Sequence, residues 1–520
     1  MDRCMKILRK PGAKGEIEGV APTQLLPEKH DGSQTTDHSN NMTGYTARSK
    51  SRRLDRWLDV VVRASGSEFV FFSILAGLLT WALLGIKYGT SDNWQVLISD
   101  VQAIVSYVFD SFLVRQQLNT YEEEMAVAAA LQSRILSHSR MLKKVHLETG
   151  DGKNAPLVTL VEPQRSTLEF QRELPAENWF GRFVTRFARA LGHLVTICLF
   201  WAGVFVWIGI GPLYGWSDKW ELYMNSASSA LMVFTFAFLA NIRERHSAYS
   251  NRCLDAIFKV DSALESRLRS LTGDTLSNPL VVIPAPKVNR VQRVIFYYAD
   301  FVGTLVGIVL LLTVIIAWVA VGPLLQFSSN WWLLIGTYAG LVGMNDGFVL
   351  RNMQARLRSY VDVEFAKVDA EDEQLFAISR VPMPEKERLP VQSLTHRISD
   401  AMNAICAHEL TVVAGFVTIL GLIAGASAMR WSFTGQLLCN VPPSLIESFF
   451  MIILITGHNA EEGRKRVDLH NVYDRRLKLL SAVDAMQSLG EKGSAPLTPL
   501  PIEKADDLGS ASTGCRDLDV

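Results

Sequence analysis

The sequence predicts an all-α polytopic membrane protein with about eight transmembrane helices, built as four helical hairpins that each continue into an amphipathic arm. Three observations predict this class. Apolar residues make up 48% of the chain and are gathered into long runs between charged segments, which gives a mean hydropathy of +0.15 although 20% of residues are charged. The segments after the apolar runs keep helical spacing without Gly or Pro over long stretches. The chain also resembles itself: a displacement of 126 positions aligns Arg63 with Arg189, Gly66 with Gly192, Trp81 with Trp207, Gly85 with Gly211 and Ser91-Asp92 with Ser217-Asp218.

Residues 1–52 are polar, rich in Ser, Thr, Lys and Arg, and read as a disordered cytosolic tail. Repeat 1 occupies 53–149, with an apolar span after Glu68, a short return loop, and a second helix through Ile98–Asn119 that runs on as an arm to Gly150. A linker (150–178) leads to repeat 2 (179–272), a second (273–290) to repeat 3 (291–381), and a third (382–393) to repeat 4 (394–489); 490–520 reads as a second disordered tail. Repeat 3 lies about 237 positions beyond repeat 1, with Gly303, Trp318 and Gly322 in corresponding places, and Asp346-Gly-Phe-Val-Leu-Arg351 echoes Asp110-Ser-Phe-Leu-Val-Arg115. Repeat 4 is more diverged, and its second spanning helix is placed near Ser444–Thr456. The arms carry seams such as Tyr249, Cys253, Ile257, Val260, Leu264 and Leu268, close to coiled-coil spacing, and are expected to assemble into a helical bundle.

The leading helix of each of the first three hairpins is bulky and apolar, whereas the returning helices carry Asn225, Ser226, Ser228, Thr337, Gly340 and Gly343. Small and polar residues line interiors and allow close helix approach, so the returning helices are placed around a central pathway and the leading ones outside. Lys and Arg are sparse within the hairpins (Lys87, Lys219, Arg430) and abundant between them, which by the positive-inside rule puts both termini and all arms in the cytoplasm. Trp94, Trp220, Trp331 and Trp332 then read as anchors at the outer interface, Arg115 and Arg351 as snorkelling charges, and the acidic runs 122–124 and 369–373 as solvated faces.

The candidate site residues are carboxylates and histidines at membrane depth. In Ile98–Asn119, Asp100, Gln102, Ser106, Asp110 and Ser111 share one half of the helix. An aspartate near a helix centre costs about 2.5–3.5 kcal/mol on insertion scales, so it is turned inward, paired, or set on a conduction path. Asp100 and Asp110 lie about 15 Å apart along the axis. Asp110 and Asp346 define an inner level, which Glu68, His193, His408 and Glu409 join from the cytoplasmic ends of the leading helices; Glu447 joins Asp100 at an outer level. Oxygen and imidazole donors without thiolates suit divalent first-row metals, held weakly where water is retained.

The net charge of zero, from 52 basic and 52 acidic residues, speaks against nucleic-acid binding. The six cysteines are scattered without paired spacing, and no Walker A, G-x-S-x-G or H-E-x-x-H motif occurs, so neither an enzyme nor an energised pump is indicated. The alternatives that remain are a channel-like or proton-coupled pathway for another cation, and a membrane scaffold or sensor acting through its arms.

The run Trp94–Asn119, the preceding Leu54-Asp55-Arg56 and Ile455-Thr-Gly-His-Asn459 resemble the fungal low-affinity iron permease family. The resemblance covers about residues 50–490. It implies low-affinity uptake of Fe(II) across the plasma membrane, tolerance of copper and zinc, and independence of the multicopper oxidase route. Fe(II) is then the substrate, with no cofactor; the partners are the divalent metal ion and the lipid bilayer, and homo-oligomerisation is left open. The metal-site residues above come from the reading of the residues, not from the resemblance.

Overall fold

In the computed structural model the described residues are 14–24, 42–47, 50, 52–148, 170, 173–388 and 394–492. The predicted tail from 493 onward, most of linker 150–178 and part of linker 382–393 lie outside them. The elements in chain order are β1 (Ile17–Gly19), α1 (Arg53–Ser65), α2 (Glu68–Tyr88), α3 (Asp92–Glu148), α4 (Trp179–Leu191), α5 (Leu194–Ile210), α6 (Asp218–Thr272), β2 (Val281–Ile283), α7 (Arg290–Val302), α8 (Leu305–Val321), α9 (Ser329–Ser379), α10 (Leu394–Cys406), α11 (Glu409–Ala428), α12 (Phe433–Leu438) and α13 (Val441–Lys492).

One order of elements occurs four times: an amphipathic helix of 13 residues (α1, α4, α7, α10), an apolar helix of 17–21 residues (α2, α5, α8, α11), and a helix of 51–57 residues (α3, α6, α9, α13). The long helices extend roughly 75–85 Å at 1.5 Å per residue, enough to cross a bilayer and project well beyond it. Among the described residues seven helices are long and apolar enough to span a membrane, and an eighth span is completed if α7 and α8, bent by 65°, count as one.

The short amphipathic helices end where the sequence places Gly66, Gly192 and Gly303, and the residue that follows opens the apolar helix. Ser67 caps α2 by accepting from the Val70 N–H, and His193 and His408 cap α5 and α11 through Nδ1, at 3.2 and 3.1 Å from the N–H groups of Val195 and Leu410. A Cβ at Gly66 would meet the Ala240 carbonyl at 2.8 Å, so only glycine allows α1 to turn this close to α6.

Each long helix packs extensively on two others, in the ring α3–α6–α13–α9 and back to α3. The apolar helices surround this ring: the spanning stretches of α2, α5 and α11 are 0, 17 and 22% buried, against 61–78% for the long helices. The expected division into returning helices inside and leading helices outside therefore holds. Each leading helix also packs on the long helix of the next unit around the ring, α2 on α6, α5 on α13, α11 on α9 and α8 on α3. Four polar bonds repeat that exchange at one level. Asn241 of α6 donates to the Gly66 carbonyl (2.9 Å), Thr456 of α13 to Gly192 (2.9 Å), Asn352 of α9 to Ala407 (2.7 Å) and Arg115 of α3 to Gly303 (3.5 Å). The carbonyls left over at the end of each short helix are thereby satisfied by a neighbouring unit.

At the opposite membrane face Trp81 stacks on Trp94, Trp207 on Trp220 and Trp318 on Trp331, with centroids 4.3, 3.9 and 4.2 Å apart. Each indole N–H donates to its partner's backbone carbonyl, at 2.8–3.3 Å. These tryptophans close the hairpins, a more specific role than the predicted interfacial anchor. The fourth hairpin has α12 at this turn, and its long helix begins at Val441.

The arms pack as a helical bundle, with Ile135, Ile257, Leu264, Leu268, Val361, Val368, Tyr473 and Leu480 buried. Its interior also holds charge. Arg134 of α3 meets Asp261 and Glu265 of α6 (3.6 and 3.2 Å), Arg476 of α13 meets Asp261 (2.9 Å) and Asp372 of α9 (2.6 Å), and Arg475 meets Asp372 and Asp369 (3.2 and 2.5 Å). At this level these ion pairs join opposite signs on neighbouring helices, while Arg269 of α6 pairs with Glu265 of its own helix at 2.9 Å. Nearer the membrane Glu124 takes Lys465 at 2.7 Å and Arg358 at 3.5 Å. Glu124 and Asp372 are thus internal partners, contrary to the solvated faces expected for their runs.

The disordered tail expected for 1–52 does not hold for residues 14–24 and 42–47. Ile17–Gly19 pairs antiparallel with Val281–Ile283, within the segment read as a linker, and Ala21 is fully buried. Lys14 reaches Asp300 at 2.7 Å, the Tyr45 hydroxyl donates to Glu123 at 2.7 Å, and its N–H to Asp255 at 3.2 Å. Ile17 and Ala21 bring apolar surface to the arms, and the strand pairs its own backbone, so the segment docks although most of the tail is polar.

Candidate functional site

The long helices place polar residues along the interior of the membrane half. From the end bearing the tryptophan pairs, the Ser226 hydroxyl donates to the Gln95 carbonyl (3.0 Å), Asn225 to Ser99 (3.0 Å), Gln102 to Ser106 (2.7 Å) and Asn440 to Thr337 (3.3 Å), while Ser228 and Ser444 share a bond of 2.9 Å. Asp100 lies in this zone, 5% exposed, with Oδ2 lacking a hydrogen-bond partner on the protein.

Deeper, three of the four long helices each supply a carboxylate. Asp110 (α3), Asp346 (α9) and Glu447 (α13) are 0, 2 and 0% exposed. Asp110 lies within electrostatic reach of both Asp346 and Glu447, and Glu447 within reach of Asp346. The Glu447 carboxylate rests against Gly343, where a Cβ would approach its oxygens to 2.5 Å. Gly343 precedes Asp346 by three residues, so Glu447 sits about one turn from the Asp346 level. Glu447 was expected beside Asp100; the structure sets it with Asp110 and Asp346 instead, because α12 takes up the turn and shifts the register of α13. The fourth helix, α6, brings the apolar Met232 and Phe236, both fully buried.

The three carboxylates differ in their surroundings. Asp346 accepts from the Tyr298 hydroxyl at 2.6 Å, while both oxygens of Asp110 and both of Glu447 have no hydrogen-bond partner on the protein. A buried polar atom without a partner costs about 1–3 kcal/mol, and more when charged, so these oxygens add no stability by hydrogen bonding within the protein. Among the described residues no group of three or more His, Cys, Asp or Glu side chains has the geometry to enclose a metal ion. The three carboxylates thus do not form a closed metal cage.

The other predicted ligands lie elsewhere. Glu68 is ion-paired with Arg245, and Glu409 accepts from Arg356 (2.8 Å) and Asn289 (2.6 Å). His193 and His408 are exposed and occupied as helix caps. All four stand at the starts of apolar helices on the outside of the ring, where cap and ion-pair chemistry accounts for them. Arg115 and Arg351 are each 6% exposed and do not snorkel. Arg115 binds Asp59 at 2.6 Å, and Arg351 donates to Gln354 at 2.8 Å, which itself donates to Glu461 at 3.0 Å.

Sequence reasoning missed Tyr298, whose place beside Asp346 depends on how α7 crosses α9. It also missed the pair His246, buried, and His458, half-buried, whose rings stack with Nδ1 and Nε2 2.9 Å apart. His458 falls within the Ile455–Asn459 run, and that run was the available signal.

The family model described as "low affinity iron permease" matches residues 180–275 and 395–492, which correspond to α4–α6 and α10–α13. The chain is 35% identical over 502 residues to the low-affinity iron/zinc ion transport protein of Schizosaccharomyces pombe, covering 92% of this chain and 85% of the relative. It is 32% identical over 542 aligned positions to the low-affinity Fe(2+) transport protein of Saccharomyces cerevisiae, covering 93% and 98%. No solved structure matches.

Proposed function

The chain belongs to the low affinity iron permease family, and from that premise we propose that it is a low-affinity plasma-membrane uptake transporter for ferrous iron that also accepts zinc and copper ions. The observation that carries the reading is the set Asp110, Asp346 and Glu447: three buried carboxylates from three helices of one ring, two of them without hydrogen-bond partners on the protein.

In this reading a hydrated divalent cation enters at the tryptophan-bearing end, passes Asp100, and exchanges part of its water for the Ser, Asn and Gln groups of the polar zone. It then rests among Asp110, Asp346 and Glu447. Hard oxygen donors in an open arrangement hold Fe(II) weakly, which agrees with low affinity and allows release. Tyr298 leaves Asp346 an acceptor oxygen while fixing its direction. Glu68, His193, His408 and Glu409 take no part in binding. The arms and both termini are cytoplasmic, since basic residues flank the hairpins on that side. Four long helices of a single chain surround one axis, so the reading needs neither a second copy nor a cofactor, and no chemical step beyond ligand exchange.

Purified protein in liposomes tests this. Asp110→Asn and Glu447→Gln should each lower Fe(II) entry by at least about tenfold, the equivalent of roughly 1.4 kcal/mol, at equal protein incorporation. Wild-type protein that carries a monovalent cation and no Fe(II) would favour the other-cation reading. Fe(II) entry unchanged in both variants would remove the cluster from the path.

A further inference from the structure

A cavity of about 660 Å³ opens between α7, α9 and α11, on the outside of the ring and within the apolar zone. Its wall runs along α9 from Tyr338 to Val349, about 16 Å of helix. The lining is apolar except for Tyr298, Tyr338 and Asn345. Its rim is exposed: Val294 of α7 is 67% accessible and Phe416 of α11 54%. With α11 spanning and α7 with α8 counted as one bent span, that rim faces lipid in a bilayer. An apolar groove that runs along about 16 Å of helix with its side open to lipid suits an alkyl chain, and its volume lies within the roughly 300–1,000 Å³ of small-molecule sites.

The end of the groove toward the arms identifies the rest of the ligand. Arg290 and Arg293 stand exposed on α7 beside Val291 and Val294, which line the groove, and basic residues near a membrane surface attract anionic headgroups. The acid at the same end, Glu409, is already taken by Arg356 and Asn289. We propose that this groove holds one acyl chain of an anionic phospholipid from the leaflet on the arm side, with its phosphate at Arg290 and Arg293. The site rests on the membrane placement of the helices and not on the transport reading. Tyr298 belongs to both, since it lines the groove and donates to Asp346.

The test is native mass spectrometry of the full chain purified in mild detergent and then exposed to vesicles of equal phosphatidylserine and phosphatidylcholine content. Wild type is expected to retain phospholipid, with phosphatidylserine preferred. Arg290→Gln with Arg293→Gln should reduce that preference roughly thirtyfold, because each basic residue near a membrane surface contributes about 1 kcal/mol toward anionic lipid. Val294→Trp with Val413→Trp should fill the groove and abolish retention while circular dichroism and elution volume stay unchanged. Retention of a sterol or detergent in place of phospholipid, no retention by wild type, or an unaltered lipid preference in the arginine variant would overturn the proposal. The arginine variant alters only exposed side chains, so its result stands even if the tryptophan variant fails to fold.

Discussion

The same four long helices bury charge in two places and treat it in opposite ways. In the arm half, Arg134, Arg475 and Arg476 lie among Asp261, Glu265, Asp369 and Asp372, with opposite signs on neighbouring helices. In the membrane half, Asp110, Asp346 and Glu447 face one another with no Lys or Arg among them; neither residue type occurs in 88–114, 220–242, 294–350 or 431–463. Removing an ion from water costs several kcal/mol even after relaxation. The arm acids are offset by arginines that the chain itself supplies. The membrane acids can be offset only by something that arrives, a cation or a proton. Paired charge thus helps the arm helices to identify one another, since opposite signs on neighbours favour the ring α3–α6–α13–α9, and in the proposed function the unpaired charge of the membrane half serves the cargo.

Single substitutions should separate the two halves, and the largest effect is expected in the arms. Arg476→Met leaves Asp261 and Asp372 buried without their shared partner and should cost about 3–5 kcal/mol, seen as lost folded protein and a lower melting temperature. Asp110→Asn removes an acid that has no hydrogen-bond partner on the protein, so the melting temperature should stay level or rise although transport falls. If Asp110→Asn unfolds the protein as Arg476→Met does, the membrane acids are structural and the contrast between the halves fails.

A smaller effect probes the hairpin closures, which carry no charge. Trp207→Phe keeps an aromatic ring over Trp220 but loses the bond from the indole N–H to the Trp220 carbonyl, now 3.3 Å. One such bond contributes about 0.5–1.5 kcal/mol, and a modest fall in melting temperature with Fe(II) entry preserved is expected. Loss of transport at full stability would instead tie the outer turns to the pathway.

What the sequence reveals follows from the range of the forces involved. Spans and arms were legible because bilayer thickness and helical period impose patterns within a single segment, as in Glu68–Tyr88 and the Tyr249–Leu268 seam. Asp110 and Asp346 were legible because a carboxylate in an apolar run is costly wherever the run lies. Glu447 was legible as a candidate but not at its depth, since α12 alters the register in a way that apolarity does not report. Tyr298 was hidden because its partner comes from a helix crossing, and the cap roles of His193 and His408 were not foreseen because a histidine at a helix start caps as readily as it binds metal. The arm charges could be seen as charges, but their burial depends on which helices are neighbours in the ring.

The smallest effect expected lies at the boundary between the halves, where Arg115 joins α3 to the surface helix α1. Asp59 accepts from Arg115 at 2.6 Å and from Asn119 at 2.9 Å, with Lys50 at 3.5 Å. Burial alone would raise the Asp59 carboxyl, but the bonds from Arg115 and Asn119 and the charges of Lys50 and Arg115 outweigh it and hold the carboxyl below the usual range. A folded-state value below the unfolded one, which is about 3.9, means that the unfolded chain binds the proton first as pH falls. The contribution of Asp59 is therefore fully present above about pH 4 and is lost as pH falls through the folded value. Its side chain is 22% exposed, so solvent screening keeps the contribution below about 1 kcal/mol. Asp59→Asn should lower the melting temperature slightly at pH 7, and the gap from wild type should close on acidification, since the wild-type carboxyl is then also neutral. A gap that persists unchanged at low pH would show that the shape and hydrogen bonding of this junction hold α1 in place, and that the balanced charge of the arm half does not extend as far as Arg115.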